Sequence, residues 1–321
     1  MDVETSADGF GHEFVAANGL QFHVATCEPQ AVERGAEGSD RLALFLHGFP
    51  ERWSSWKYQM PLLARLGYRA WAPDLRGYGD TDRPGRLSDY AIEKLLDDVA
   101  GLIDASGAQK TLLLAHDWGA MIAWLFAVRR LRELDGLVIM NVPHPGAASR
   151  GFSWRQLLRS WYVIAFQIPG FPERALARRG PMRMVEGMRS SMARPENLDA
   201  DSLRLLAENW QDPARIAAML NYYRAYVRGG GAQRQRKLGY PVIDTRTLML
   251  WGVNDVALTV ETTYATRDFV TDLTLRYLPE ASHWVQQDEP ELVNRMLEAW
   301  LQGGDVPRAP GEPNPARRGF G

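Results

Sequence analysis

The residue that most clearly suggests chemistry is Asp117, in the stretch "LLLAHDWGAMIAW" at 112–124. The pattern predicts a buried strand, a turn flanked by the small residues Ala115 and Gly119, and then a helix. Asp117 would lie at the N-terminus of that helix, where free N–H groups and the helix dipole keep a carboxylate charged. Such a carboxylate needs no activating base to attack a saturated carbon that carries a leaving group, and the product is an ester of the enzyme.

This strand–turn–helix pattern resembles the nucleophile elbow of the α/β-hydrolases, in which an acid and then a histidine follow the nucleophile along the chain. Asp255 follows the predicted strand "LMLW", and His283 follows the next one, so both fall where that fold places them. The resemblance implies that His283 takes a proton from the water that hydrolyses the ester, while Asp255 holds the imidazole. It also implies an oxyanion hole made by the backbone N–H groups of Phe49 and Trp118.

Five motifs, in order over most of residues 10–303, narrow this resemblance to the epoxide hydrolase branch of the α/β-hydrolases. They are "HGFPERWSSWKYQMP", "DLRGYGDTDRP", "HDWGA", "NVPHP" and "HW". One such motif would be weak evidence, whereas five in register are specific. The resemblance implies an enzyme that hydrolyses epoxides, with a cis peptide bond before Pro50.

The same resemblance implies a tyrosine that donates a proton or a hydrogen bond to the epoxide oxygen. It lies in a motif similar to N-W-Y-R, and "NYYR" in this chain gives Tyr223. A phenol suits this role because ring opening generates an alkoxide that an O–H donor can stabilise. The family usually has a second tyrosine before an F-Q pair, but this chain has Ala165 there. Tyr162, three residues upstream, is the nearest substitute.

Each of these side chains also has a purely structural interpretation. Asp117 could cap its helix, His283 could be an ordinary loop histidine, and Asp255 could cap its loop. Tyr223 and Tyr162 could be core aromatics of the surrounding helices. For Tyr162 packing is the favoured interpretation, and for the other four the chemical role is favoured.

Several nearby polar residues are predicted to brace loops or to point away from the site. His116, next to Asp117, should point away from the reacting atoms. Asn141 lies where some relatives place the acid, but an amide cannot serve as one, so the prediction stays on Asp255. Asp74 and Arg76 belong to a predicted charge network that braces loops.

Short apolar runs separated by amphipathic stretches predict parallel strands with helices on both faces. The runs are "LALFL", "YRAWAP", "TLLLAH", "LVIMNV", "TLMLW" and "TLRYL". Asn18 and Gly19 lie between two alternating runs and predict a hairpin. The predicted fold is the α/β-hydrolase fold, a mostly parallel sheet flanked by helices, with an inserted helical cap.

The cap is predicted at residues 146–240, which contain helix-like segments and no convincing strand. Residues 1–145 and 241–305 would then form the core beneath it. The stretch "RGGGAQRQRK" that closes the cap is predicted to be a flexible polar linker. The Pro/Gly-rich residues 306–321 are predicted to be disordered.

Composition excludes several other classes of protein. The chain has 321 residues and a formal net charge of −2, so nothing favours nucleic acid or acidic membranes as partners. Cys27 is the only cysteine, which rules out an intramolecular disulfide. The N-terminus lacks an apolar signal region, and no apolar run could span a bilayer, so a cytoplasmic protein is predicted. No ligand cluster or G-x-G-x-x-G motif is present, so neither a metal nor a nucleotide cofactor is predicted.

The predicted partners are an apolar small-molecule epoxide and water, with a homodimer left open. The apolar pocket is inferred from aromatic residues of the cap, namely Trp154, Trp161, Tyr162, Phe166, Phe171 and Trp210. The main alternative is a haloalkane dehalogenase, which also uses an aspartate nucleophile but typically has Asn or Glu where this chain has Phe49. Fluoroacetate dehalogenases place arginines where this chain has Trp118 and Met121. A β-lactone opener stays open, and a non-catalytic binding protein would usually have lost one of the three catalytic side chains.

Overall fold

The computed structural model describes residues 9–29 and 40–313, and its centre is a sheet of eight strands. The strands are β1 (Gly11–Ala17), β2 (Leu20–Cys27), β3 (Arg41–Leu46), β4 (Arg69–Pro73), β5 (Lys110–His116), β6 (Gly136–Met140), β7 (Thr247–Gly252) and β8 (Leu273–Leu278). They lie side by side in the order β1-β2-β4-β3-β5-β6-β7-β8. All six apolar runs predicted as strands are strands in the structure.

The sheet is mostly parallel, as predicted. Strands β3 to β8 pair in parallel, whereas β2 pairs antiparallel with both β1 and β4. The hairpin between β1 and β2 is confirmed: Asn18 and Gly19 form its turn with φ angles of 47° and 75°, which two-residue hairpin turns require. Because the carboxyl ends of the parallel strands meet at one edge, the loops that follow them can bring distant residues together.

Helices cover both faces of the sheet. They are α1 (Met60–Arg65), α2 (Ile92–Ser106), α3 (Asp117–Arg129), α4 (Pro145–Arg150), α5 (Trp154–Arg159), α6 (Trp161–Ala165), α7 (Phe171–Arg179), α8 (Pro181–Arg189), α9 (Ala200–Glu208), α10 (Pro213–Val227), α11 (Gly231–Leu238), α12 (Val285–Asp288) and α13 (Pro290–Leu301). Within residues 9–29 and 40–313, none of the helices combines the length and the apolar character that crossing a bilayer requires. Helix α3 is apolar on all sides and almost entirely buried, which is typical of a helix enclosed by its neighbours.

The core lies on both faces of the sheet because the central strands are apolar along most of their length. In β3, Leu44 packs on one face and Phe45 on the other, and both are fully buried. In β5, Leu113 and Leu114 divide between the faces in the same way. Runs without polar alternation are expected where helices cover a parallel sheet on both sides.

Eight helices, α4 to α11, lie between β6 and β7, and we call residues 145–238 the helical insert. Helix α10 contacts α2 and α7, so it connects the insert to the helices that flank the sheet. The division of the chain into a core and a cap stays a prediction.

Two local predictions were wrong. The stretch predicted to be a flexible linker contains helix α11, in which Gln235 is buried and bonded to Arg129. Residues 306–313, predicted to be disordered, pack beside β8, where Val306 is buried and its carbonyl accepts a hydrogen bond from Arg276. Backbone carbonyls supply much of this anchoring, so side-chain periodicity does not reveal it. The remaining tail residues, 314–321, lie outside the described part of the chain.

Candidate active site

Asp117 lies at a sharp turn between β5 and α3. Its φ angle is 47°, a left-handed conformation that is uncommon for a residue with a side chain. The turn packs against the end of β3 so closely that a Cβ on Gly119 would lie 2.3 Å from the carbonyl oxygen of Leu46. A Cβ on Gly48 would lie 2.2 Å from that of Asp117. Both glycines are therefore required for the turn and its neighbouring loop to fit together.

The structure brings the three predicted catalytic side chains together. His283 Nε2 lies 3.6 Å from Asp117 Oδ2, and His283 Nδ1 lies 2.8 Å from Asp255 Oδ2. The second carboxylate oxygen of Asp255 accepts hydrogen bonds from the backbone N–H groups of Ala257 and Leu258, at 2.7 and 2.8 Å. Asp255 therefore does cap its loop, and the same carboxylate also orients the imidazole.

Charges at the site shift the pKa values of Asp117 and His283 in opposite directions. Burial by itself would raise the pKa of Asp117, but the hydrogen bond and positive charge of His283 outweigh it and lower that pKa. Burial by itself would lower the pKa of His283, but the negative charges of Asp255 and Asp117 raise it well above the usual value. The two side chains thus favour an ion pair in the free enzyme.

Asn141 is a site residue whose part the sequence analysis missed. It follows β6 with a φ angle of 46°, and its Nδ2 donates to Asp255 Oδ2 at 2.8 Å and to the Ser282 carbonyl at 3.2 Å. Its Oδ1 accepts from the backbone N–H of Gly252 at 2.8 Å. Asn141 therefore fixes the loops that carry both the acid and the base. The sequence feature that indicates this role is the position of Asn141 directly after β6, the strand beside β7.

A second missed contact lies behind the site, between His116 and Glu51. His116 Nδ1 lies 2.7 Å from Glu51 Oε2, and His116 Nε2 lies 2.8 Å from the carbonyl oxygen of His283. Both ring nitrogens therefore face acceptor oxygens, one of a buried carboxylate and one of a backbone carbonyl. Gln287 also donates to Glu51, at 2.7 Å. The prediction that His116 points away from the reacting atoms is confirmed.

One of the two predicted oxyanion donors, Phe49, contacts the carboxylate of Asp117. The backbone N–H of Phe49 donates to Asp117 Oδ1 at 2.6 Å, and the peptide bond between Phe49 and Pro50 is cis, as expected. The N–H of Trp118 belongs to the first turn of α3, where a helix offers no intrahelical acceptor. The Phe49 N–H therefore contacts the carboxylate, and the Trp118 N–H follows Asp117 directly in the chain.

Two apolar cavities meet at Asp117, and both predicted tyrosines line them. A cavity of about 260 Å³ is lined by Asp117, His283, Tyr162 and Tyr223 among apolar side chains. A second one, of about 300 Å³, shares Asp117 and the two tyrosines and continues past Trp118. The ring centres of Tyr162 and Tyr223 are 6.0 Å apart. Tyr162 therefore combines packing with access to the site.

The aromatic residues of the insert divide into two groups. Tyr162, Phe166 and Trp210 line the cavity of about 260 Å³, as the sequence analysis expected. Trp154, Trp161 and Phe171 do not, because their side chains are 68%, 67% and 67% exposed. The sequence does not show the orientation of these six aromatics, and the structure places three of them at the cavity.

A further cavity, about 450 Å³, lies away from Asp117 and is lined by many charged and polar side chains. Within the described ranges, His23, Asp74 and Asp80 are close enough together to hold a metal ion. However, Arg52 Nη2 lies 2.9 Å from Asp74 and 3.1 Å from Asp80. A guanidinium already neutralises these carboxylates, so the donor set does not fit an added cation. The predicted role of Asp74 in bracing loops is in accord with these contacts.

Comparisons with known proteins agree with this geometry. Residues 44–290 match the model of the alpha/beta hydrolase fold family. The chain is 34% identical to the AB hydrolase superfamily protein YfhM of Bacillus subtilis, over 92% of this chain and 99% of that one. It is also 34% identical to epoxide hydrolase 2 of Caenorhabditis elegans, over 91% of this chain and 80% of that one.

Two further comparisons point to the same branch. Human epoxide hydrolase 4 is 34% identical over 89% of this chain and 76% of its own length. The structure of potato epoxide hydrolase I superposes with a TM-score of 0.77 at 27% identity, covering 92% of this chain and 99% of that one. The shared strand order, the aspartate at the elbow and these relatives lead to one assignment. The chain belongs to the epoxide hydrolase branch of the α/β-hydrolase fold family and is a hydrolase acting on ether bonds.

Proposed function

We propose that this enzyme opens an apolar epoxide to a vicinal diol through an ester formed on Asp117. One observation carries the proposal: a single apolar cavity is lined by Asp117, His283, Tyr162 and Tyr223. It offers an anion to attack carbon, two phenols for the oxygen that leaves, and an imidazole for the later water. The relatives named as epoxide hydrolases support the substrate class.

In the first step, an oxygen of Asp117 attacks one epoxide carbon, and the bond from that carbon to the ring oxygen breaks. The ring oxygen leaves as an alkoxide on the neighbouring carbon and takes a proton or a strong hydrogen bond from Tyr223, with Tyr162 as second donor. Burial and then the negative charge of Asp117 raise the pKa values of both phenols. Both phenols are therefore protonated, and able to donate, when the substrate arrives.

In the second step, His283 takes a proton from water, and the resulting hydroxide attacks the ester carbonyl carbon of Asp117. The backbone N–H groups of Phe49 and Trp118 stabilise the oxyanion. As it collapses, the bond between the ester carbon and the substrate oxygen breaks, and that oxygen leaves with the proton that His283 took from water. The proton that remains on the acid passes to the oxygen left unprotonated by the first step, the Tyr223 phenolate or the alkoxide, which restores the carboxylate and completes the diol. Ester formation prepares this step, because it removes the negative charge of Asp117 that helped to raise the pKa of His283. The imidazole then becomes neutral more readily, as a general base must be.

The walls of the two cavities support an apolar substrate with bulk on either side of the ring. Phe166, Met188 and Trp210 line one side, whereas Met121 and Tyr226 line the other. We further propose that residues 146–240 act as a cap that closes these walls over a core of residues 1–145 and 241–305. Excluding water in this way would strengthen the electrostatic interactions at Asp117.

The test is a comparison of matched substrates, an alkyl or aryl epoxide and the bromoalkane with the same carbon skeleton. We expect diol from the epoxide and little bromide from the bromoalkane, because phenols aimed at an alkoxide assist a halide much less. A haloalkane dehalogenase would give the reverse. If bromide release dominates, the enzyme is a dehalogenase and the proposed epoxide hydrolysis is wrong.

A further inference from the structure

The outer side of the helical insert exposes an unusual number of large apolar side chains. We call this surface the outer face. It consists of Trp154, Leu157, Leu158, Trp161, Ile164, Ile168, Phe171 and Met182, each at least 50% exposed. A large aromatic side chain has a surface of roughly 150–250 Å². Each aromatic that is about two-thirds exposed therefore contributes on the order of 100 Å² to the exposed surface. The whole surface therefore exceeds the few hundred Å² that are ordinary for a monomer.

Five of the eight residues of the outer face lie along α5 and α6: Trp154, Leu157, Leu158, Trp161 and Ile164. Ser160 separates the two helices, yet its N–H still bonds to the Gln156 carbonyl at 3.0 Å, so the helical course continues. Trp154, Leu158 and Trp161 recur at spacings of four and three residues, which places them on the same side of a helix. Tyr162, directly after Trp161, lines the cavity instead. A helix that is apolar on both sides is expected to be covered on both sides.

The surroundings of the outer face are strongly basic. Residues 152–189 contain seven arginines and two glutamates, although the whole chain has a formal net charge of −2. One of the glutamates, Glu173, is buried and paired with Arg224 at 2.5 Å. Arg178, Arg179 and Arg183 are exposed and form no ion pair with any described residue. Residues 152–189 therefore carry an excess of positive charge that the net charge of the whole chain does not reflect.

We propose that the outer face binds the surface of an anionic lipid bilayer. Its aromatic and aliphatic side chains would enter the boundary between headgroups and acyl chains, and its arginines would contact the anionic headgroups. This combination of apolar and basic groups is typical of helices that lie in the plane of a membrane surface. The absence of a spanning helix in the described ranges is compatible with such peripheral binding.

A second copy of the chain fits this surface less well. A two-fold symmetric dimer would place the face against itself, and Arg178, Arg179 and Arg183 would meet the same cations. Residues 1–8, 30–39 and 314–321 are also poor occupants, because they contain few large apolar residues. Charge complementarity therefore favours the bilayer.

The position of the outer face has a consequence for substrate entry, which rests on the proposed function. Val163 and Phe166 of the same helical course line the cavities. Val256 lines the cavity of about 260 Å³ and is 55% exposed, so this wall reaches the surface. An apolar epoxide dissolved in the bilayer could then enter without crossing water.

Vesicle co-sedimentation of the full chain tests the binding without any turnover. The vesicles contain either phosphatidylcholine alone or equal parts of phosphatidylcholine and phosphatidylglycerol. We expect binding to the anionic vesicles that decreases as salt rises, because screening weakens attraction between exposed charges. Binding to phosphatidylcholine alone should be much weaker. Equal binding to both, or no binding at low salt, would overturn the proposal.

Two sets of substitutions, each with a matched control, locate the surface. Arg178→Gln, Arg179→Gln and Arg183→Gln together should lower the partition coefficient on the order of 10²-fold, at about fivefold for each arginine. The control removes three exposed cations elsewhere, through Arg65→Gln, Lys110→Gln and Arg295→Gln, and should change binding much less. An equal loss in both triple variants would mean that only the total charge matters, which contradicts a defined face.

The apolar contribution is tested by Trp154→Ser with Trp161→Ser, which should lower the partition coefficient about tenfold or more. Phe14→Ser, at a 62% exposed position on β1, is the control and should bind like the wild type. Both changes are at exposed positions, and circular dichroism verifies that the fold is retained. A wild-type dimer that dissociates in the tryptophan variant, without vesicle binding, would make the face a self-association surface and overturn the proposal.

Discussion

Asn141 and His283 bind the same oxygen of Asp255: Asn141 Nδ2 and His283 Nδ1 each lie 2.8 Å from Asp255 Oδ2. The amide therefore fixes the carboxylate that orients the base. Because Asn141 also bonds to Gly252 and to the Ser282 carbonyl, it joins the ends of three neighbouring segments. It acts as a positioning residue.

The first prediction is that Asn141→Gly slows hydrolysis of the ester about tenfold or more, since hydrogen bonds to charged groups contribute about 1.5–3 kcal/mol. Glycine accepts the positive φ at this position, so the change removes the amide without adding backbone strain. Single-turnover kinetics should show a much smaller effect on ester formation, in which Asp255 takes no direct part. Equal slowing of both steps would indicate a general loss of structure instead.

The second prediction concerns the atom that attacks the substrate. In a single turnover in water enriched in heavy oxygen, the label should enter the carboxylate of Asp117, because water attacks the ester carbonyl carbon. Mass spectrometry of the peptide that contains Asp117 measures this directly. Label found only in the diol, with an unlabelled enzyme, would mean that water attacks the epoxide itself.

The third prediction is that His283→Gln accumulates the ester. Asp117 is already an anion and needs no base to attack, whereas the water of the second step does need one. Intact-mass analysis should therefore show the mass of the protein plus one substrate, with little turnover. A folded variant that gains no mass would show that His283 is needed before the ester forms.

The fourth prediction concerns the direction in which the charge of Asp117 shifts the pKa of His283. The negative charges of Asp255 and Asp117 hold the pKa of His283 well above its usual value, so Asp117→Asn should lower that pKa. Between the two pKa values the wild-type ring is charged and the variant ring is neutral. Histidine nitrogen shifts in an NMR titration measure this, with His283→Gln to assign the signal. An unchanged or higher pKa would contradict the coupling.

The sequence predicted the parts of the molecule that depend on local pattern and strand order. Asp117 was found from a turn with small neighbours, and Asp255 and His283 from their places after successive strands. The pair of His116 and Glu51 was not found, because His116 ends β5, Glu51 lies in the loop after β3, and the two meet only when these strands lie side by side. Contacts of this kind depend on the final packing of buried polar groups.

The sequence also did not show which side of a helix faces the site. Trp161 and Tyr162 are adjacent in the chain, yet Trp161 is 67% exposed and Tyr162 lines the cavities. When a helix is apolar all round, its sequence has no polar side to indicate the outer surface. The aromatic content of the insert therefore suggested an apolar pocket, but only the structure shows which of the aromatics line it.

The fifth prediction concerns the two phenols and separates epoxide from halide chemistry. General acid–base catalysis contributes about 10²–10⁴-fold, and Tyr223→Phe should slow ester formation from an epoxide by that order. The loss should lie toward the upper end because Ala165 replaces the second tyrosine usual in the family. Tyr162→Phe should cost less, since its ring, 5.6 Å from that of Phe166, also serves packing. Each variant removes one oxygen and leaves the ring in place, so the shape of the cavity is preserved. Rapid-quench kinetics measures ester formation, and a matched bromoalkane is the control substrate. Full epoxide activity in Tyr223→Phe, or an equal loss with the bromoalkane, would remove the phenol from the step that breaks the ring.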